Sequence, residues 1–109
     1  MIELEIYETI NGRRPYEHWL QRVRDKMAVI RIFKRLRNVQ LGNFGDHSPV
    51  GEGVLELRVH VGAGYRVYCA RHGQRLVVLL CGGDKGSQAA DIKSAQEYWA
   101  DWKRRKDDA

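Results

Sequence analysis

The chain has 109 residues, of which 43% are hydrophobic and 30% are charged, and its formal net charge is +5. This length suits one domain over residues 1–109, and no apolar run approaches the roughly 20 residues of a membrane span. The first segment alternates and lacks the apolar leader of a secreted protein, so we expect a cytoplasmic protein. Arginine outnumbers lysine by about two to one, which suits a polyanionic partner, and a soluble protein that is merely basic is the alternative.

The N-terminal half predicts one strand and two helices. Residues 2–7 alternate between apolar and polar side chains, as a half-buried strand does. Helices are expected over residues 15–24 and 26–41, and Asp25 is placed to cap the second. The apolar stripe of the second helix is Val29, Ile32, Phe33, Leu36 and Val39, flanked by Ile30. Its basic face carries Arg31, Lys34, Arg35 and Asn38. We interpret that face as solvated, with a secondary contact to nucleic acid or to an acidic partner as the alternative.

The C-terminal half predicts a loop, three strands and a helix. Residues 42–53 are glycine-rich and aperiodic, which indicates a loop. Residues 54–85 predict three strands, joined by turns at residues 62–64 and at residues 72–73. A final helix is expected over residues 88–104, with Ser87 as its cap and Ile92, Ala95, Trp99 and Trp102 as its buried stripe.

The first of these hairpins predicts an unusual polar surface. If residues 62–64 form the loop, His60 lies opposite Arg66, and Arg58 lies opposite Tyr68. The leucines then share one face of the sheet. The other face receives Glu56, Arg58, His60, Arg66 and Tyr68. Two arginines, a carboxylate, an imidazole and a phenol on a rigid sheet are unusual for a plain solvated face.

The order of elements predicts a small α+β fold, β-α-α-β-β-β-α. We expect an antiparallel or mixed four-stranded sheet, with the two N-terminal helices packed on one face and a C-terminal helix. The helices are expected against the leucine face, leaving much of the polar face open or partly covered. Cys69 and Cys81 fall on opposite faces, so no disulfide is expected. Neither cysteine has a neighbour at metal-ligand spacing, and no metal or organic cofactor is implied.

Taken together, several segments resemble the RelE/ParE superfamily of toxins from bacterial toxin–antitoxin modules. The similarity is greatest to the HigB-like "addiction module killer protein" branch. It extends over nearly the whole chain and is carried by residues 12–16 (GRRPY), Trp19-Leu20, Arg31-Ile32, Arg35-Leu36, residues 42–46 (GNFGD), residues 54–58 (VLELR), residues 64–68 (GYRVY), and residues 82–85 (GGDK) followed by Gln88, Asp91-Ile92 and Ala95.

The resemblance implies a toxin that cuts mRNA in the ribosomal A site. It also implies a cognate antitoxin encoded beside the toxin, usually a helix-turn-helix protein in this branch, through which the pair contacts operator DNA. Two alternatives stay open. The related ParE group poisons DNA gyrase instead, and a toxin that has lost its activity acts only as a co-repressor bound to its antitoxin.

Three site residues follow from this resemblance. Arg66 matches the family arginine that contacts the scissile phosphate, and Arg58 matches a basic residue on the preceding strand. Lys85 falls where RNA-cutting relatives place a basic or imidazole residue. The best-studied relatives carry lysines where this chain has Val54 and Glu56, so their lysine-based mechanism does not carry over intact.

Such a site does not need to supply a nucleophile, because RNA carries its own in the 2′-hydroxyl. The protein must align the strand, move two protons and stabilise the charge that develops on phosphorus. Arg66, Arg58 and Lys85 suit that charge, and Glu56 or His60 can take the 2′-proton. The residues predicted to bind RNA are His60, Tyr68 as a base-stacking ring, Arg31, Lys34 and Arg35.

Overall fold

A five-stranded mixed sheet forms the centre of the computed structural model, which describes residues 1–108. The strands are β1 (Glu3–Ile6), β2 (His47–Pro49), β3 (Val54–Val59), β4 (Tyr65–His72) and β5 (Leu76–Asp84). Across the sheet their order is β1-β5-β4-β3-β2. β1 pairs with β5 in parallel, and the other neighbours are antiparallel. The predicted α+β fold is confirmed, with one strand more than expected.

The helices are α1 (Pro15–Arg22), α2 (Lys26–Gln40) and α3 (Gln88–Asp107), and a short 3₁₀ turn precedes α3. Asp25 caps α2 as predicted, since its Oδ1 accepts hydrogen bonds from the amides of Met27 and Ala28. Ser87 occupies the N-cap position of α3, but its side chain makes no capping hydrogen bond. Across residues 1–108, none of the helices combines the length and the apolarity needed to cross a bilayer.

The additional strand, β2, lies within the segment that was expected to be a loop. His47 pairs with Leu57, and Pro49 pairs with Leu55. A proline is tolerated here because β2 is an edge strand and its missing amide costs no central ladder bond. The loop prediction was wrong at this point, because three residues among glycines are too few to show a two-residue period.

The sheet is covered on both faces, which corrects the expectation that all helices lie on the leucine face. One core lies between the sheet and the α1–α2 pair, and includes Ile32, Leu57 and Val67. The second core lies between α3 and the opposite face, and includes Tyr68 and Trp99. The second face is apolar enough to hold a helix because β5 is apolar on both of its sides.

The register of the β3–β4 hairpin differs from the prediction by two residues. Arg58 lies directly opposite Arg66, and Val59 lies opposite Tyr65. The turn therefore comprises residues 60–64 rather than 62–64. A shift of two residues changes the partners but leaves every side chain on its predicted face. The two arginines consequently face each other across the ladder.

The β4–β5 hairpin also has a longer turn than predicted. β4 continues through His72, and residues 73–75 form the loop. A register shift beside Cys69 turns both Leu80 and Cys81 toward α3. Cys69 lies in the other core, so the two free cysteines are on opposite faces, as predicted.

The buried face of α2 is narrower than predicted. Ile32, Leu36 and Val39 are buried together with Ala28, but Phe33 is exposed. Successive helical residues are turned by about 100°. Phe33 is therefore directed away from the sheet, although it follows a core residue.

Truncating α2 at matched positions tests this packing. Ile32→Ala is expected to lower the free energy of unfolding by about 2–5 kcal/mol, because it leaves a cavity in the core. Ile30→Ala, on the exposed side of the same helix, is expected to change it by less than about 0.5 kcal/mol. Urea denaturation measures both values. Equal losses would contradict the assignment of the two faces.

Candidate functional site

The candidate site is built on the facing arginines of β3 and β4. Arg58 Nη1 donates to Glu56 Oε1 over 3.1 Å. Arg66 Nε lies 3.5 Å from Glu56 Oε2. One carboxylate is thus shared by two guanidinium groups that would otherwise repel each other. The predicted placement of both arginines on one side of the sheet is confirmed.

Glu56 is the only charged residue that is buried among residues 1–108, with 2% of its surface exposed. Its Oε2 also accepts hydrogen bonds from the Tyr68 hydroxyl at 3.0 Å and from Gln88 Nε2 at 2.8 Å. The carboxylate therefore joins β3, β4 and the first turn of α3. At this depth it orients the arginines, and it lies out of reach of a hydroxyl that approaches from solvent.

Tyr68 is fully buried, so the expectation that it stacks on a base does not agree with the structure. Its ring belongs to the core beneath α3. Burial, together with the hydrogen bond to Glu56, raises the pKa of the Tyr68 hydroxyl. This phenol therefore serves as a hydrogen-bond donor to the carboxylate.

The side chain of Arg66 makes fewer hydrogen bonds than that of Arg58. Its side chain is 13% exposed, and its Nη1 donates to the carbonyl of Gly64 over 3.2 Å. Its buried Nε has no hydrogen-bond partner among residues 1–108. Glu56 Oε2, at 3.5 Å, is close enough to this nitrogen for an ion pair but not placed for a hydrogen bond.

Asp46 and His60 form the rim of the site beside Arg58. Asp46 Oδ1 accepts from Arg58 Nη2 at 2.7 Å, and Oδ2 lies 2.5 Å from His60 Nε2. The hydrogen bonds from Arg58 and then from His60 hold the pKa of the Asp46 carboxyl well below its usual range. His60 is 73% exposed, so its imidazole is accessible to a ligand.

The basic face of α2 adjoins this rim. Arg35 donates from Nε to the carbonyl of Arg58 and from Nη2 to the carbonyl of Asp46, at 3.0 and 2.7 Å. Arg35 therefore holds the loop before β2 against β3. Arg31 and Lys34 are exposed, and an open cleft of about 470 Å³ brings them together with Arg35, Arg58 and His60.

Lys85 lies apart from this cleft, in the 3₁₀ turn that follows β5. It is exposed and is not one of the residues that line the cleft. The β4–β5 ladder still places it at the same end of the sheet as Arg66, since Arg66 pairs with Gly83. It remains a candidate for a more distant contact with an extended ligand.

Sequence reasoning missed two polar partners of Arg58 and one of Glu56. Asp46 and Ser48 belong to the glycine-rich segment, and β2 brings both to Arg58. Gln88 reaches Glu56 because α3 covers the polar face. The apolar character of both sides of β5 was the available signal for that covering helix.

The arrangement is chemically suited to an anion. Two arginine forks present several N–H donors in fixed directions, which matches the geometry of a phosphate. Among residues 1–108, no three His, Cys, Asp or Glu side chains are clustered so that they could hold a metal ion. The side chains gathered at the site carry guanidinium, imidazole, carboxylate and hydroxyl groups.

Neutralising the shared carboxylate tests its role. Glu56→Gln is expected to lower the free energy of unfolding by about 3 kcal/mol, because it leaves two facing arginines with no buried counter-charge. Urea denaturation measures the change. Glu97→Gln, at an exposed position of α3, is the control and is expected to change it by less than about 0.5 kcal/mol. A Glu56→Gln protein as stable as the control would show that the pair does not need this charge.

Comparison with known proteins places the chain in a family. Residues 19–98 match the family described as phage derived protein Gp49-like (DUF891), and that segment contains the whole arginine cluster. A protein of Haemophilus influenzae, described as uncharacterized, is 44% identical over 81 residues, which cover 74% of this chain and 82% of that protein. The chain therefore belongs to the phage-derived Gp49-like family, which is related to the killer proteins of toxin–antitoxin modules.

Proposed function

We propose that this protein is the toxin of a type II toxin–antitoxin module, in the HigB-like branch of the RelE/ParE superfamily, and that it cuts mRNA on translating ribosomes. The observation that carries the proposal is the arginine pair, Arg58 and Arg66, fixed by one buried carboxylate. The family relationship supports the toxin assignment. The arginine pair supports the proposal that the toxin acts on a phosphodiester, because two guanidinium groups suit a phosphate.

In the proposed reaction, the 2′-oxygen of the RNA attacks the adjacent phosphorus. A P–O2′ bond forms and the P–O5′ bond breaks, which leaves a 2′,3′-cyclic phosphate and a free 5′-hydroxyl. One proton leaves the 2′-hydroxyl and one is delivered to the departing 5′-oxygen. Preorganised cations aimed at the phosphoryl oxygens stabilise the charge that develops between these events.

Each residue of the cluster has a role in this proposal. Arg66 contacts the scissile phosphate, and Arg58 supports it from the neighbouring strand. Glu56 is a positioning residue, because its oxygens are buried and already bonded to the cluster. The 2′-proton is taken by His60, which is exposed and linked to Arg58 through Asp46. Lys85 contacts a flanking phosphate or the leaving oxygen.

The biological setting follows from the same proposal. The toxin works in the cytoplasm and is neutralised by a helix-turn-helix antitoxin encoded nearby. Operator DNA is contacted indirectly, through the antitoxin. Single-stranded RNA approaches along the cleft between α2 and the rim, where Arg31 and Lys34 contact phosphates that flank the cut.

Removal of Arg66 tests the catalytic assignment. Arg66→Ala is expected to lower RNA cleavage by about 100-fold or more, because a preorganised donor to the developing charge is lost. Primer extension on total RNA after induction measures the new 5′ ends within coding regions. Arg75→Ala, in the exposed loop at the opposite end of β4, is the control and is expected to cut as the unaltered protein does.

Two outcomes would contradict the proposal. One is toxicity with intact mRNA and loss of DNA supercoiling, which would assign the protein to the gyrase inhibitors. The other is an Arg66→Ala protein that still cuts at the same positions, which would remove the arginine pair from the reaction.

The salt dependence of binding tests the RNA path separately. Each phosphate contact on a single strand contributes about −0.7 to the slope of log K against log salt. Replacing both Arg31 and Lys34 by alanine is therefore expected to make this negative slope shallower by about 1.4. The probe is a short single-stranded RNA with 2′-O-methyl groups, which cannot be cut. Replacing Lys103 and Arg104 on α3 is the control, and an equal change there would contradict a path along α2.

A further inference from the structure

The outer surface of α2 carries a strip of exposed apolar side chains. Among residues 1–108, six large hydrophobic residues are exposed, and three of them, Met27, Ile30 and Phe33, lie on this helix. Between 54% and 56% of each is exposed. Their spacing of three residues aligns them along a ridge that faces away from the sheet. We call these three residues the outer strip.

Cations surround the outer strip. Lys26, Arg31, Lys34 and Arg37 are exposed on α2, and the helix contains no acidic residue. An apolar centre with a charged rim is the usual anatomy of a protein–protein interface. Clustered exposed hydrophobic groups of this kind mark interaction surfaces.

We propose that the outer strip of α2 docks an acidic amphipathic helix of a partner protein. A helical partner suits an apolar ridge spaced at i, i+3 and i+6, because ridges of one helix fit between those of another. An acidic partner suits the four cations at the rim. Identifying the partner with the antitoxin rests on the proposed function, whereas the docking surface itself does not.

The charge of the chain weighs against the other possible occupants. A second copy would bring the four α2 cations against an identical set, and the whole chain already carries +5. RNA would gain little from Met27 and Ile30, which offer its phosphates neither charge nor hydrogen bonds. Of these three occupants, the acidic protein helix satisfies both the apolar ridge and its rim.

Docking at the outer strip would also restrict RNA. Arg31 and Lys34 belong both to the rim of the strip and to the cleft beside Arg58. An acidic helix on α2 would neutralise these cations and cover one wall of the cleft. The partner would therefore compete with RNA without touching Arg66.

A synthetic helix tests the docking surface directly. The probe is a peptide of about 18 residues, long enough to form a helix, with leucines on one face and glutamates on the other. The control peptide has the same composition in an order that distributes the leucines around the helix. Calorimetry and amide chemical-shift mapping are expected to show binding on α2, with the control at least about tenfold weaker.

Matched variants locate the contact. Replacing both Ile30 and Phe33 by serine is expected to weaken peptide binding at least about tenfold. Ile10→Ser, at an exposed hydrophobic residue outside the strip, is expected to leave binding unchanged. Circular dichroism confirms that each variant is folded. Equal binding of both peptides, or unchanged binding by the double variant, would overturn the proposal.

Two further measurements distinguish a partner helix from a second copy of the chain, and the docking surface from the proposed function. Analytical ultracentrifugation that shows a dimer abolished by the double variant would overturn the proposal in favour of a second copy. The double variant is expected to cut RNA as the unaltered protein does, since neither side chain lines the cleft. If the unaltered protein cuts no RNA while the peptide still maps to α2, the docking surface stands and the proposed function fails.

Discussion

The Glu56 carboxylate is the contact on which the site and part of the fold depend. Two guanidinium groups placed directly opposite each other on a sheet repel, and burial strengthens that repulsion. Glu56 offsets it because Arg58 donates to one of its oxygens, while the other lies 3.5 Å from Arg66 Nε and accepts from Gln88 of α3. The docking of α3 on the sheet and the direction of Arg66 are therefore set by the same group. A change in this carboxylate affects packing and electrostatics together.

The two carboxylates near the arginines differ in what they can do. Glu56 is buried and hydrogen-bonded, so its interactions are only weakly screened by salt. Asp46 is exposed at the rim, and an exposed ion pair contributes little to stability. An incoming phosphate would therefore displace Asp46 from Arg58 far more easily than it would displace Glu56. The ion pairs of Glu56 fix the positions of the two arginines. The exposed ion pair between Asp46 and Arg58 can open so that a phosphate takes the place of Asp46.

The sequence was sufficient to predict which side chains share a face, but not which ones pair. The two-residue period places Arg58 and Arg66 together, and it is insensitive to a register shift of two residues. The length of a turn rich in glycine decides the pairing, and several lengths are sterically allowed there. Asp46 was missed for a related reason, since a strand of three residues leaves no periodic signal. These features depend on tertiary contacts rather than on local pattern.

The two faces of α2 explain how one helix can serve both the fold and a partner. Ile32 and its buried neighbours hold α2 against the sheet, so the outer strip adds nothing to that core. Exposed Ile30 and Phe33 carry a risk of aggregation, which the proposed docked partner removes. Because Arg31 and Lys34 lie between the strip and the cleft, a helix bound to the strip and RNA bound in the cleft need the same two cations. Neutralisation by such a partner is then a competition for charge, and it requires no rearrangement of the buried arginine pair.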